Sequence, residues 1–223
     1  MTNEDGARTL GSVKWGVYAF FDYDDEPIYV GQTRESLGTR IRRHLTNQRT
    51  DAVAMSVLDP FEVRTIKVWP LRQYQRVVKS GPNRARADVL AAAVDHLNSL
   101  ERMIFEKAIE DSKFDAILNE KDPPMVPHCE YFEPECGALV SEEMFHLRAH
   151  PDTRVARRAM IIGRLAQVIS ERELRSGGLR RALMTQAQRL EWLARERYYA
   201  LGGQASVKQR ERNEDDEADA DDE

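Results

Sequence analysis

The sequence is poor in the features that mark disulfide-rich secreted proteins and membrane proteins. Among its 223 residues there are two cysteines, Cys129 and Cys136, which excludes a disulfide framework as the basis of the fold. No apolar run approaches the ~20 residues that a membrane-spanning helix needs. The first ten residues, MTNEDGARTL, lack the basic and apolar segments of a secretory signal. We therefore expect a protein of the reducing cytoplasm with no membrane partner.

What the sequence has instead is charge, and it is unevenly distributed. Charged residues make up 32% of the chain and hydrophobic residues 41%, which is typical of a globular protein with a highly charged surface. The formal net charge is -5, but the last eleven residues contain eight acids and no base. The other 212 residues carry 30 acids and 33 bases, so the body is mildly basic and the tail strongly acidic. Such a split is found in nucleic-acid-binding proteins.

Hydrophobic patterning predicts a mixed fold of the α/β (α+β) class. Three segments rich in β-branched and aromatic residues predict strands, and the acidic turn at 22–27 joins the first two as a hairpin. The strands are predicted at 13–21, 28–30 and 61–71. Helices are predicted at 35–45, 84–111, 142–150, 153–176 and 179–201, with Ser36 or Thr33 as the cap of the first.

These elements suggest four regions along the chain. A sheet domain occupies 13–121, and a proline-rich linker follows at 122–141. An arginine-rich helical region occupies 142–203, and its last two helices are expected to form an antiparallel hairpin. Residues 204–223 have little apolar content to offset the entropy of ordering, so we predict a disordered acidic tail.

A carboxylate interrupts the apolar face of the longest predicted helix. Apolar positions recur every three or four residues in 84–111, and Glu101 stands at the centre of that stripe. A buried carboxylate must be paired, hydrogen-bonded or metal-bound, because an isolated buried charge is costly. Glu101 is therefore a candidate metal ligand. The alternative is a glutamate at the edge of the stripe, or one that pairs with an arginine of the core.

Tyrosines and bases are concentrated near the start of the chain. Tyr18 and Tyr29 lie on adjacent predicted strands, and Arg40 and His44 share one face of the next helix because they are four residues apart. Phosphodiester cleavage needs a base for water, cationic donors for the phosphorane charge and usually a divalent metal ion. These residue types suit that chemistry. The alternative is that the tyrosines are ordinary sheet residues and the arginines lie on a solvated face.

These residues resemble the motifs of the GIY-YIG nuclease superfamily. The two signature triplets are similar to Gly16-Val17-Tyr18 and Tyr29-Val30-Gly31, with ten residues between them. The Arg-x-x-x-His element of the family is similar to Arg40 and His44 on the next helix. Both triplets have valine where the family name has isoleucine. The resemblance covers about residues 13–120, a little over half of the chain.

Two further segments carry the same resemblance. LERMIF at 100–105 is similar to the segment with the metal-binding glutamate, which assigns that role to Glu101. Asn119 in AILN is similar to the closing leucine–asparagine pair, although the proline that often precedes it is missing and the gap from Glu101 is long. Gln32 stands where many members have a lysine, and Arg34, Arg42 and His44 are nearby candidates to replace it.

The resemblance implies both a fold and an activity. The fold is a small three-stranded antiparallel sheet flanked by helices, and the activity is cleavage of DNA with one divalent cation, Mg²⁺ or Mn²⁺. The resemblance implies that Glu101 holds the metal and that Tyr18 acts as, or positions, the general base. Arg40 would stabilise charge on the phosphoryl group. His44 would bond to a tyrosine or orient water, and Tyr29 would line the same site.

The C-terminal helical region has no motif that identifies a family, and its composition is unusual. Residues 152–201 contain eleven arginines, no lysine and five acids. Arginine-rich helices can follow a phosphate backbone. The alternative is a hairpin that packs on the sheet domain with its arginines solvated or paired. The candidates for DNA contacts are Arg42 and Arg43 on the first helix and Arg157, Arg158 and Arg164 in this region.

A group of cysteines and histidines follows the sheet domain. Cys129, Cys136, His146 and His150 lie close together in the sequence and could supply the four ligands of a zinc site. The spacing between the cysteines exceeds the usual two to four residues. The alternative is a pair of cytosolic thiols and some surface histidines, among them His128, beside a proline-rich segment.

The sequence thus favours a metal-dependent DNA endonuclease with an appended helical region. One alternative is a catalytically weak or inactive nucleic-acid-binding module on the same fold. A pure binder has no use for a carboxylate beside phosphates, so the presence of Glu101 with the tyrosines and bases argues against it. A helical interaction protein, in which the sheet domain is incidental, is the third hypothesis.

Overall fold

The structure is a mixed α+β fold, as the patterning predicts. The computed structural model describes residues 10–46, 57–78, 81, 84–171 and 177–204. Their strands are β1 (Gly16–Phe21), β2 (Pro27–Thr33), β3 (Thr65–Pro70) and β4 (Glu135–Ala138). Their α-helices are α1 (Leu37–Leu45), α2 (Ala87–Glu110), α3 (Glu142–Ala149), α4 (Pro151–Glu171) and α5 (Gly177–Ala200). The predicted acidic tail lies, apart from Gln204, outside the described residues.

The sheet has four antiparallel strands in the order β2-β1-β3-β4, so the prediction of three strands is wrong. The fourth strand comes from the segment predicted as a linker. Its residues ECGA include no β-branched or aromatic side chain, and Pro134 directly precedes it, so the sequence gives no strand signal there. Pairing with β3 alone makes this segment a strand.

Helices cover both faces of the sheet, which is why β1 reads as a continuous apolar run. Val17 and Ala19 of β1 share a core cluster with residues of α2, including Leu97 and Leu100. Tyr18 and Phe20, which alternate with them along β1, belong to a second core cluster with residues of α1, α4 and α5. All six residues of β1 are buried, because this central strand is sandwiched between the two layers.

The helix that carries the predicted Arg-x-x-x-His element begins where its sequence dictates. Ser36 is the N-cap of α1, and its hydroxyl accepts from the main-chain N–H of Thr39. This bond satisfies one of the free N–H groups of the first turn. The prediction that Ser36 or Thr33 caps the helix is therefore confirmed for Ser36.

The last two helices form the predicted antiparallel hairpin, and it packs on the sheet. Arg197, near the end of α5, makes two hydrogen bonds of 2.7 and 2.8 Å to Asp152 in the first turn of α4. Leu165 of α4 and Leu179 of α5 belong to the same core cluster as Tyr18. No helix in the described parts of the chain has the length and apolarity to cross a membrane.

Candidate active site

The tyrosine of the first triplet is the centre of a hydrogen-bonded group on one face of the sheet. Tyr18 is fully buried, and its hydroxyl oxygen lies 2.8 Å from Nε2 of His44. Nε of Arg40 donates to the same oxygen at 3.3 Å. The ring of Tyr29 lies 6.2 Å from that of Tyr18 and 5.2 Å from that of His44. The four side chains predicted from the motifs therefore meet at one place.

Arg40 brings a positive charge to the Tyr18 hydroxyl. Burial alone lowers the pKa of Arg40, but the adjacent Tyr18 raises it, and the pKa lies above its ordinary value. The guanidinium therefore stays charged, and a cation beside a phenol favours the phenolate. His44 is buried as well, and a neutral imidazole whose proton is on Nδ1 can accept the tyrosine proton at Nε2. The group is arranged to remove a proton from Tyr18.

Glycine in the second triplet makes room for the Tyr18 side chain. Gly31 pairs with Tyr18 across β1 and β2. A Cβ atom at position 31 would lie 2.8 Å from the Tyr18 hydroxyl oxygen and 2.9 Å from the Tyr29 ring. Distances this short require the tyrosines to move. The residue type at position 31 thus fixes where the hydroxyl can lie.

Glu101 reaches the site from the other face of the sheet. It lies on α2, and its Oε2 accepts a hydrogen bond of 2.7 Å from Nε2 of Gln32 near the end of β2. Because β2 is an edge strand, side chains from the two faces can meet beside it. A cavity of about 270 Å³ at this edge is lined by Glu101 together with Tyr29 and His44. Glu101 and two members of the tyrosine group, Tyr29 and His44, therefore border a common space.

Burial makes the charge on Glu101 costly. It raises the pKa of Glu101 above the ordinary value, although the hydrogen bond from Gln32 and the charges of Arg40 and Arg34 act in the opposite direction. Where the structure describes the chain, no three histidine, cysteine or acidic side chains are grouped so that they could hold a metal ion. A cation at Glu101 would therefore take most of its ligands from water and phosphate oxygens. Mg²⁺ is commonly bound in this way, so Glu101 fits such an ion.

Asn119 contributes by holding the edge strand in place. Its Oδ1 accepts from the main-chain N–H of Val30 at 3.0 Å, and its Nδ2 donates to the Val30 carbonyl at 2.8 Å. The side-chain amide thus pairs with β2 as another strand would. Asn119 also lines the cavity, but both of its polar groups are engaged by the main chain. Its action on the site is therefore exerted through the position of β2.

Comparison with known families agrees with this geometry. Residues 14–76 match the family model of the GIY-YIG catalytic domain. The resemblance of the N-terminal part to the GIY-YIG family is confirmed. No curated protein and no solved structure matches the chain. The matched range contains both tyrosines, Arg40 and His44, and it ends before Glu101 and Asn119.

The cations that could meet DNA near the candidate site differ in their surroundings. Arg42 is exposed on α1, whereas Arg43 forms an ion pair with Glu35. Lys121, an exposed residue that the motifs do not mark, lines the cavity beside Glu101. Its proximity to Asn119 in the sequence is the only signal that could have suggested this position.

The arginines predicted to contact DNA from the helical region divide into two groups. Arg164 is exposed on α4. Arg158 is 3% exposed, and its guanidinium bonds to Asp22 at 2.9 Å and to Glu62 at 3.1 and 3.2 Å. Arg157 is half-buried and pairs with Glu62 as well. In this structure the guanidinium of Arg158 is buried among carboxylates, and its contact with DNA stays a prediction.

These contacts belong to a larger set of buried charges, the anchor network. Two arginines of α4 and one of α5 converge on the acidic turn between β1 and β2. Asp22 is the centre, since its Oδ2 lies 2.9 Å from Arg158 and 2.6 Å from Arg189. The network holds the hairpin on the sheet domain. Its members are Asp22, Asp24, Glu26, Glu62, Arg154, Arg157, Arg158 and Arg189.

The cysteines and histidines that follow the sheet domain do not form a zinc site in the described structure. Cys129 is half-buried beside the α2 cluster, and burial raises the pKa of its thiol. Cys136 is exposed on β4, and His128 bonds to Glu106 instead of a cysteine partner. The simpler alternative, free thiols and surface histidines, describes these positions.

Proposed function

We propose that this protein is a metal-dependent endonuclease that hydrolyses phosphodiester bonds in DNA. The observation that carries the proposal is the Tyr18 hydroxyl, which bonds to His44 and Arg40, while His44 and Tyr29 line one cavity with Glu101. A proton acceptor, a fixed cation and a carboxylate are the groups that the hydrolysis of a phosphodiester needs. The GIY-YIG match at residues 14–76 supports the same reaction class.

In this proposal each side chain has a separate task. Tyr18, as a phenolate favoured by Arg40, takes a proton from the attacking water, and His44 accepts or returns the tyrosine proton. Arg40 also stabilises negative charge that develops on the phosphoryl oxygens. Glu101 would hold Mg²⁺ or Mn²⁺, which neutralises charge on the phosphate in the transition state. Tyr29 forms the wall beside His44 and keeps the imidazole in place.

A plasmid-nicking assay with and without Mg²⁺ tests the proposal. Tyr18→Phe removes one hydroxyl and keeps the ring, so the strand should pack as before. Single-turnover cleavage at saturating DNA should fall ~10²-fold or more, as expected when a general base is lost. Tyr199→Phe, at an exposed position of α5, is the matched control and should cleave like the wild type.

A second variant separates an enzyme from a DNA-binding module. Glu101→Gln should bind DNA yet fail to cleave it at any Mg²⁺ concentration, whereas Glu142→Gln on exposed α3 should cleave normally. Wild-type protein that binds DNA but does not nick it with Mg²⁺ or Mn²⁺ would favour the inactive module. Normal cleavage by Tyr18→Phe would overturn the assignment of the base.

A further inference from the structure

Gln32 makes an unusual pair of hydrogen bonds next to the proposed metal ligand. Its Nε2 donates to Oε2 of Glu101 at 2.7 Å and to Oδ1 of Asn98 at 3.1 Å. Asn98 and Glu101 are three residues apart on α2, so they lie on the same side of that helix. One side chain of β2 therefore connects the edge of the sheet to two neighbouring positions of α2.

The chemistry of the acceptors fixes the orientation of this chain of amides. An ionised carboxylate accepts hydrogen bonds and donates none, so Glu101 must face the NH₂ group of Gln32. That orientation directs the second N–H of Gln32 to Asn98, which must present its carbonyl oxygen in return. Each side chain thus sets the rotation of the next, from Asn98 through Gln32 to Glu101.

The same arrangement leaves one polar atom of Gln32 without a partner. Its Oε1 is buried and has no hydrogen-bond donor among the described residues. Leaving a buried acceptor unpaired is costly, and a residue selected only for packing would avoid that cost. Buried polar atoms without a hydrogen-bond partner are concentrated at functional sites.

We propose that Gln32, held by Asn98, is a positioning residue that fixes the carboxylate of Glu101 for metal binding. This inference rests on the proposed function, since it assigns Gln32 a role toward the ligand that function requires. Groups that orient a metal ligand typically change metal affinity or activity by 10–100-fold when they are removed. Gln32 itself does not touch the substrate or the metal in this proposal.

Mn²⁺ binding to the DNA-free protein, followed by electron paramagnetic resonance, is the direct test. Gln32→Met keeps the length of the side chain and removes its hydrogen bonds. It should weaken Mn²⁺ binding by ~10–100-fold and raise the Mg²⁺ concentration needed for half-maximal cleavage by a similar factor. The KM for DNA should stay unchanged. Gln73→Met, an exposed glutamine outside the site, should leave both measurements as in the wild type.

Asn98→Leu tests the chain of amides independently. It replaces Gln32→Met in the experiment if Gln32→Met no longer shows a cooperative unfolding transition. Because Asn98 acts through Gln32, the double variant should bind Mn²⁺ no more weakly than Gln32→Met alone. Wild-type Mn²⁺ affinity in both single variants, alongside loss of binding in Glu101→Gln, would overturn the role of Gln32 and leave the proposed function intact. Unchanged Mn²⁺ binding in Glu101→Gln would overturn the metal assignment itself.

Discussion

The anchor network predicts that loss of a single charge at Asp22 destabilises the whole chain. Asp22 is 1% exposed, and its Oδ2 accepts from Arg158 at 2.9 Å and from Arg189 at 2.6 Å. Asp22→Asn keeps the size of the side chain but leaves these guanidinium groups without their shared anion. Breaking a buried ion pair by removing one partner costs about 3–5 kcal/mol, because the other charge stays buried.

That loss is large compared with the stability of a protein of this size. The total free energy of unfolding is commonly about 5–15 kcal/mol. At roughly 2–4 °C per kcal/mol for a chain of this length, Asp22→Asn should lower Tm by roughly 6–20 °C. Urea and thermal unfolding followed by circular dichroism measure the change. Asp122→Asn, which disrupts an exposed pair with Arg181, is the matched control and should cost about 1 kcal/mol or less.

The prediction also separates anchoring from DNA binding in the helical hairpin. Arg158→Met should destabilise the fold, and in the folded fraction it should leave the salt dependence of DNA affinity unchanged. Arg164→Ala should do the reverse and reduce the salt slope by about one phosphate contact. A Tm for Asp22→Asn within 2 °C of the wild type, measured at the same pH, would refute the reasoning.

Four further expectations follow from the site and the charges. Gly31→Ala should fold but lose most cleavage activity, because the new methyl group displaces the Tyr18 hydroxyl; a nicking assay beside a thermal melt checks this. The pKa of Glu101 is raised, so its ionised form destabilises the fold. Glu101→Gln should therefore raise Tm of the metal-free protein at pH 7, where Glu101 is ionised, and not at pH 4. Burial raises the pKa of Glu62, but Arg158, Arg154 and Arg157 outweigh it and lower that pKa. The ionised Glu62 should therefore stabilise the fold fully above its unfolded pKa of ~4.3, and this stabilisation should disappear as the pH falls through its folded pKa. Thermal melts between pH 3 and 6 measure the change. Deleting residues 205–223 should strengthen DNA binding most at low salt, because the eight acids of 213–223 compete with phosphate for the basic body. Equal affinities at ~50 mM salt would contradict this.

Local sequence determined the elements that need no distant partner. The strand character of β1, the Ser36 cap of α1 and the long amphipathic α2 follow from residue type and spacing, and all three are present. The four-residue spacing likewise predicted that Arg40 and His44 share one face of a helix, whereas their place beside Tyr18 was implied by the resemblance to the GIY-YIG family. These features depend on short-range geometry, which the sequence states directly.

The tertiary structure decided what depends on pairing between distant segments. β4 has no strand signal of its own and exists because β3 offers an unpaired edge. The arginines of α4 and α5 have the composition of a DNA-binding helix, yet Arg158 and Arg189 are buried because acids of the β1–β2 turn lie opposite them. Composition counts charges without their partners, so it cannot distinguish an anchor from a phosphate contact. In the sequence, Gln32 is marked only as a departure from a motif. In the structure it bonds to Glu101, because β2 is an edge strand and side chains from both faces of the sheet can meet beside it.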